Sequence, residues 1–267
     1  MFTRVHLLRE DPDLGAHIPP SEQSWAVEHC VVHAINLPRG TWNHVETQMS
    51  PAAIGLLVLD GLLIRRVGVD GRFGAELLGE GDLLRPWHGE DLESTLPQTT
   101  GWKLVTGARL AVLDERAAAR MARYPALIGA IAGRALDRAR RLALMMAIIH
   151  HPRIDVRLHM LFWHLADRWG HVRRDGVILP LNLSHSVLAD LIAAQRPSVT
   201  GALGKLTERG LVVSEPAGWL LGGGPPGELL ELQEVEVTDP GNGDGDHRPS
   251  RFSSGVGPTT TKERERA

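Results

Sequence analysis

The chain has 267 residues, 43% of them hydrophobic, and a formal net charge of -3. That is enough for one large or two modest cores. The near balance of charge excludes a whole-molecule attraction to nucleic acid, so any such contact must come from a local patch. One cysteine, Cys30, excludes an internal disulfide and an iron–sulfur cluster held by four thiolates of one chain; a lone cysteine is ordinarily a buried, small apolar side chain.

Residues 1–20 end in Pro19-Pro20 and read as a flexible N-terminal segment; Met1 to Leu8 carry Arg4 and His6 without a long apolar stretch, so a secretory signal is not expected. No apolar run approaches the roughly 20 residues that span a bilayer. The expectation is a cytoplasmic protein of a reducing compartment with no membrane partner. From Trp25 to Leu113 the texture is that of short strands: Cys30-Val31-Val32, Ile54 to Leu59 and Leu62 to Val67, cut by Pro38-Arg39-Gly40, Asp60-Gly61, Asp70-Gly71 and Gly79-Glu80-Gly81-Asp82. Asp60-Gly61 and Asp70-Gly71 suit tight hairpins because both residues tolerate positive φ. Such a pattern predicts a roll, barrel or sandwich over 21–113.

Asp114 is a suitable N-cap for the Ala- and Arg-rich stretch that follows, and Pro125 can open a second helix at its first turn. Ile128, Ala132, Ala135, Ala139, Leu142, Met146 and Ile149 then step alternately by four and three, which keeps one seam facing a partner helix. The seam predicts self-association through 114–151; the alternative is an amphipathic helix packed on its own domain. Pro152 stops this helix. A further helix over Arg153 to Asp167 turns Ile154, Leu158, Leu161, Phe162 and Leu165 inward, and Arg173 to Gly176 form a turn before a strand at Val177 to Leu181.

The stretch from Leu183 to Leu221 carries the functional signal. Ser184 caps a short helix with Leu188, Leu191 and Ile192 on its apolar face, and a turn follows at Ala193 to Gln195. Arg196-Pro197-Ser198 opens the next helix, whose stripe is Val199, Ala202, Leu203 and Leu206. Gly210 ends it, and Leu211 to Ser214 with Trp219 to Leu221 form a hairpin. Helix, tight turn, helix and hairpin make a winged helix-turn-helix over 152–221. A recognition helix presents its N-terminal residues to base edges, so Arg196 is placed for the bidentate contact to guanine. Gln195, Ser198 and Thr200 offer short polar contacts, and Ser184, His185, Lys205 and Arg209 contacts to the DNA backbone. Residues 222–267 begin Gly222-Gly223-Gly224-Pro225-Pro226, continue as an acidic Gly-, Ser- and Thr-rich tail, and read as disordered.

These motifs resemble the cyclic-AMP receptor protein/FNR (Crp/Fnr) superfamily of bacterial transcription regulators. Arg157 to Ala166 is similar to its helix after the hinge, Arg196-Pro197-Ser198-Val199-Thr200 to its helix-opening motif, and the turns at Asp60-Gly61, Asp70-Gly71-Arg72 and Gly79 to Leu83 to its hairpins. The resemblance covers about residues 21–221. It implies an α+β chain with an N-terminal cyclic-nucleotide-binding-like β-roll, a long dimerisation helix and a C-terminal winged helix-turn-helix. It also implies a homodimer on double-stranded DNA, with RNA polymerase as a further partner. Arg196 matches the family's base-reading arginine, whereas Pro197 and Gly201 stand where other members have a glutamate and a second arginine; Ala193 replaces a frequent turn glycine. The Gly-Glu pair and the phosphate arginine of members that bind cyclic AMP are replaced by Arg85-Pro86 and by Gln98-Thr99-Thr100, so control by ordinary cyclic AMP is not expected. The effector is unknown; Arg85, Trp87 and His88 are weak candidates for its site. His29 and His33, read on one strand face, lie too far apart for a shared metal, and His159 and His164 diverge around a helix. No metal, no cofactor and no enzyme activity is expected, since P-loop, His-Glu-x-x-His and nucleophile-elbow motifs are all missing. The rival reading is a sensor or scaffold acting through protein partners rather than DNA.

Overall fold

The computed structural model describes residues 2–47, 49–50, 52–87 and 96–227. His88 and the acidic tail from 228 onward lie outside the described residues.

The start of the chain departs from the expectation of a flexible segment. Strand β1 (Phe2–His6) pairs antiparallel with β2 (Val31–Leu37), and between them come the short helix α1 (Leu7–Glu10), a 3-10 turn at Pro12–Gly15 and helix α2 (Pro20–His29). The physical reason is burial: Val5, Leu7, Leu8, Leu14 and Ile18 all enter the core beneath this sheet. Arg109 holds Glu10 and Arg134 holds Asp11, so polar groups of the segment are also tied down. Trp25 and His29 therefore lie on α2, not on a strand; their rings stack at 3.7 Å, and His29 and His33 share no strand face. Cys30 is buried as expected, and burial pushes its thiol above the usual value.

Seven further strands complete the roll: β3 (Gly40–Trp42), β4 (Gly55–Asp60), β5 (Leu63–Val69), β6 (Arg72–Leu78), β7 (Leu83–Leu84), β8 (Thr99–Leu104) and β9 (Ala108–Leu113). One sheet runs β1-β2-β9-β4-β7 and the other β3-β8-β5-β6. The run Ile54 to Leu59 is apolar without alternation because β4 is covered on both faces: Leu56 and Val58 face the roll interior, Leu57 and Leu59 the N-terminal segment and helices. Asp70-Gly71 makes the expected hairpin, both residues at positive φ between paired Val69 and Arg72. Asp60-Gly61 does not, since β4 and β5 belong to different sheets and Gly61 is the corner between them. A Cβ there would lie 2.3 Å from the Gly107 carbonyl oxygen. Inside the roll Trp42, Trp87 and Trp102 are buried among leucines, Trp42 and Trp102 meeting edge to face.

Asp114 caps α3 (Glu115–Met121) by accepting the Ala117 N–H at 2.8 Å, and Pro125 opens α4 (Pro125–His150). Its 26 residues make about 39 Å of helix. Leu127, Ile131 and Ile148 are its buried residues, and Arg134, Arg138 and Arg141 reach carboxylates at Asp11, Glu76 and Asp82. These three arginines, all off the predicted seam, clamp the helix to its own roll.

After the Pro152 break come α5 (Ile154–Trp169), β10 (His171–Arg173), β11 (Gly176–Leu179), α6 (His185–Leu191), α7 (Arg196–Glu208), β12 (Val212–Glu215) and β13 (Gly218–Leu221). The last four strands form a sheet in the order β10-β11-β13-β12. Gly218 is required in the wing, because a Cβ there would meet the Leu179 carbonyl oxygen at 2.1 Å. Leu158, Leu161, Phe162 and Leu165 of α5 build one core with α6, α7 and the wing, and Ile64 and Leu77 of the roll hairpin belong to it.

Candidate nucleic-acid interface

The Ser184 hydroxyl oxygen accepts the Val187 N–H at 3.3 Å and caps α6, as its sequence position predicts. Val187, Leu188, Ala189 and Leu191 are buried. The chain then turns on Ala193 at φ 51, and the Ala194 N–H returns to the Ala189 carbonyl at 2.9 Å. Gln195 occupies the N-cap of α7 in extended conformation without a side-chain cap bond, and Pro197 falls in the first turn, where its missing N–H has no intrahelical partner to lose.

The buried face of α7 is Val199, Ala202, Leu203 and Leu206. On the opposite face Gln195, Arg196, Ser198, Thr200 and Lys205 are exposed, so the residues singled out in the helix share one open surface. His185 is half-buried at the start of α6, and its Nδ1 lies 2.9 Å from the Thr200 hydroxyl oxygen. The free N–H groups of the first turn of α7 add a favourable field for phosphate. Two further features were not singled out from sequence. Gly204, like Gly201, faces open space, which leaves the outer face of α7 thin enough for its backbone to approach a groove wall. Arg157 donates from Nη1 to the Ile192 carbonyl at 2.9 Å and from Nε and Nη2 to the His151 carbonyl. It thereby ties the end of α6 to the hinge; its place in the hinge-following motif was the available signal.

His159 lies buried behind this surface and accepts the Trp163 indole N–H at Nε2, 3.0 Å away. Burial first, and then Arg209, hold its pKa below the usual value, so the ring is neutral at physiological pH. Effector candidates fare differently. Trp87 is buried in the roll core and Arg85 is half-buried, so neither stands open on the surface, and His88 lies outside the described residues. Along α4 the predicted seam is uncovered: Ile128, Ala132, Ala135, Ala139 and Met146 are exposed, and Leu142 and Ile149 half-buried. Among the described residues no cluster of three His, Cys, Asp or Glu side chains is placed to share a metal, and no helix is long and apolar enough to cross a membrane.

Residues 156–220 match the Crp-like helix-turn-helix domain family. No curated protein matches the chain in sequence. Among solved structures, a cyclic nucleotide-binding domain containing protein from Listeria monocytogenes EGD-e superposes with a TM-score of 0.58 at 15% identity, over 79% of this chain and 96% of that one. FixK2 from Bradyrhizobium japonicum gives 0.53 at 14% identity, over 74% and 96%. The c-di-GMP responsive global regulator CLP of Xanthomonas campestris gives 0.51 at 18% identity, over 74% and 96%. Residues 156–220 are thus a Crp-like helix-turn-helix domain, and the chain carries them on a fold shared with these solved structures.

Proposed function

We propose that the chain is a dimeric, DNA-binding transcription regulator that reads its operator through the first turns of α7. The observation that carries this reading is the division of α7 into a buried apolar stripe and an exposed face bearing Arg196, Ser198 and Thr200 at its N-terminal side and Lys205 in its last turn. A guanidinium on that first turn suits the O6 and N7 edge of guanine, and the Ser198 hydroxyl and Lys205 suit phosphates. The uncovered seam of α4 supports a homodimer, which would set two recognition helices about one DNA turn apart, near 34 Å. RNA polymerase is the natural further partner of such a regulator, and the cytoplasm its location. Control by ordinary cyclic AMP is not part of the reading. The Gln98-Thr99-Thr100 segment offers no guanidinium to a cyclic phosphate, and three tryptophans pack within the roll.

The test is selection of bound fragments from genomic DNA, followed by binding of Arg196→Ala to the best site. Loss of one bidentate guanine contact per half-site lowers affinity roughly tenfold or more and relaxes base choice at that position. Unchanged affinity and unchanged base preference in Arg196→Ala would remove α7 as the reading helix.

A further inference from the structure

Thr200 sits one turn into α7, and its hydroxyl oxygen has two close polar neighbours: the Arg196 carbonyl oxygen at 3.1 Å and His185 Nδ1 at 2.9 Å. A hydroxyl has one hydrogen. If it pointed at Nδ1, the Thr200 and Arg196 oxygens would face each other with no proton between them, whereas donation to the carbonyl is the ordinary back-bond of a helical threonine. Both contacts are satisfied only when Nδ1 carries a hydrogen and donates it to Thr200. The opposite ring nitrogen, Nε2, is then bare in the neutral imidazole and is an acceptor.

From this geometry we infer that His185 is a protonation-gated phosphate clamp: neutral, it offers DNA only a lone pair, and charged, it offers an N–H and a positive charge. The inference rests on the DNA-binding reading of the same surface. A phosphate oxygen accepts and never donates, so a ring whose Nδ1–H is committed to Thr200 meets phosphate favourably only after Nε2 takes up a proton. Binding to DNA therefore favours the charged ring. By linkage, a rise in pH removes the proton and weakens binding.

The charged groups around the ring leave this gate to the DNA. On α6 itself Asp190 is engaged by Arg66 at 3.4 Å. Helix α6 packs against α7 and β6. On α7 the charged residues are Arg196, Lys205 and Glu208, the last two turns beyond Thr200. On β6 they are Arg72 and Glu76, and Glu76 is held by Arg138. The nearest charges along α7 are thus cationic, so the anion that pairs with a charged ring comes from the DNA.

The experiment uses the full chain and mixed-sequence duplex DNA at low salt, because phosphate contacts dominate non-specific binding. Affinity is measured between about pH 6 and pH 8, the range over which an imidazole titrates. Wild type binds roughly tenfold more weakly per half-site at the upper end than at the lower. His185→Asn keeps an N–H facing Thr200 but cannot ionise, so it shows the weaker affinity at both ends and a flatter profile. Thr200→Val frees the ring to carry its hydrogen on Nε2 while neutral, so its profile flattens too, but towards tighter binding at high pH. If wild type and His185→Asn share one pH profile, or Thr200→Val keeps the wild-type slope, the clamp is overturned while DNA binding stands. Absence of wild-type binding at every pH overturns the DNA-binding reading and the clamp together.

Discussion

The turn between the two helices of the motif hinges on one side chain in a costly conformation. Ala193 has φ 51, a region where a Cβ crowds the following carbonyl at a cost of about 1–2 kcal/mol. The strain was legible before any coordinates: the resemblance places glycine at this position, and Ala193 or Ala194 had to take up the turn. Ala193→Gly keeps the same path without the crowding. It also gains chain entropy on unfolding, so the net expectation is stabilisation of about 0.5–1 kcal/mol, read as a higher urea midpoint at unchanged slope. A lower midpoint would mean that the methyl, which borders the cavity between the roll hairpin and α4, contributes more by packing than it costs in strain. Arg196, Ser198 and Thr200 were equally legible, because a 3.6-residue period fixes which side of a helix faces out. The His185–Thr200 contact was not. It joins residues 15 apart on different helices, and only the angle of the turn decides that they meet.

At the scale of elements, the winged domain is fastened to the roll by two kinds of contact of very different strength. Ile64 and Leu77, 1% and 9% exposed, enter the core built by α5, α6 and α7 from the outer side of the β5–β6 hairpin. Beside them Asp82, 2% exposed, accepts from Arg141 on α4 at 2.6 Å, from Arg168 on α5 at 2.7 Å and from the Gly79 N–H at 2.8 Å. The Arg66–Asp190 pair across the same boundary is far more exposed and is worth at most about 1 kcal/mol. Asp82→Asn leaves two guanidiniums facing a neutral amide, one of them within the boundary between roll and winged domain. It should cost about 3 kcal/mol, a little below the full penalty for breaking a buried pair because both arginines keep some access to water. Asp190→Asn should cost less than about 1 kcal/mol. Thermal unfolding of the two variants separates these values, and equal losses would show that Asp82 does not join the elements. The helices and turns involved were readable from caps and periodicity. Their docking was not, because the adjacent apolar pairs Leu63-Ile64 and Leu77-Leu78 supply both faces of the hairpin without naming what covers the outer one. The same limit explains the N-terminal segment: Leu7, Leu8, Leu14 and Ile18 are too few and too irregularly spaced to announce a core, and Pro19-Pro20 argued for a loop.

For the whole molecule the decisive surface is the outer side of α4. Its inner side is spent on the roll, through Leu127 and Ile131 and the arginine clamps, while apolar side chains remain on the outside. Leu136 is 64% exposed and Met146 57%. Leu136 lies beside the seam read from the four-and-three spacing, so the apolar surface is wider than that spacing alone suggested. Exposed apolar surface of this extent on a charged helix is stable in water when a second copy covers it, and small residues at Ala132, Ala135 and Ala139 let two helices approach closely. Ala135→Glu tests this without disturbing the protomer, since the side chain points to solvent within one chain. Two glutamates brought together across a twofold seam repel, so the variant should sediment as a monomer at concentrations where the proposed wild-type dimer forms. Separating the two recognition helices also removes the second, tethered binding event. Affinity for a selected palindromic site should then fall by about a hundredfold or more, with the single half-site affinity little changed. A variant that remains dimeric and keeps full operator affinity would place the dimer contact elsewhere on the molecule, and α4 would then be a strut between roll and hinge rather than the axis of the assembly.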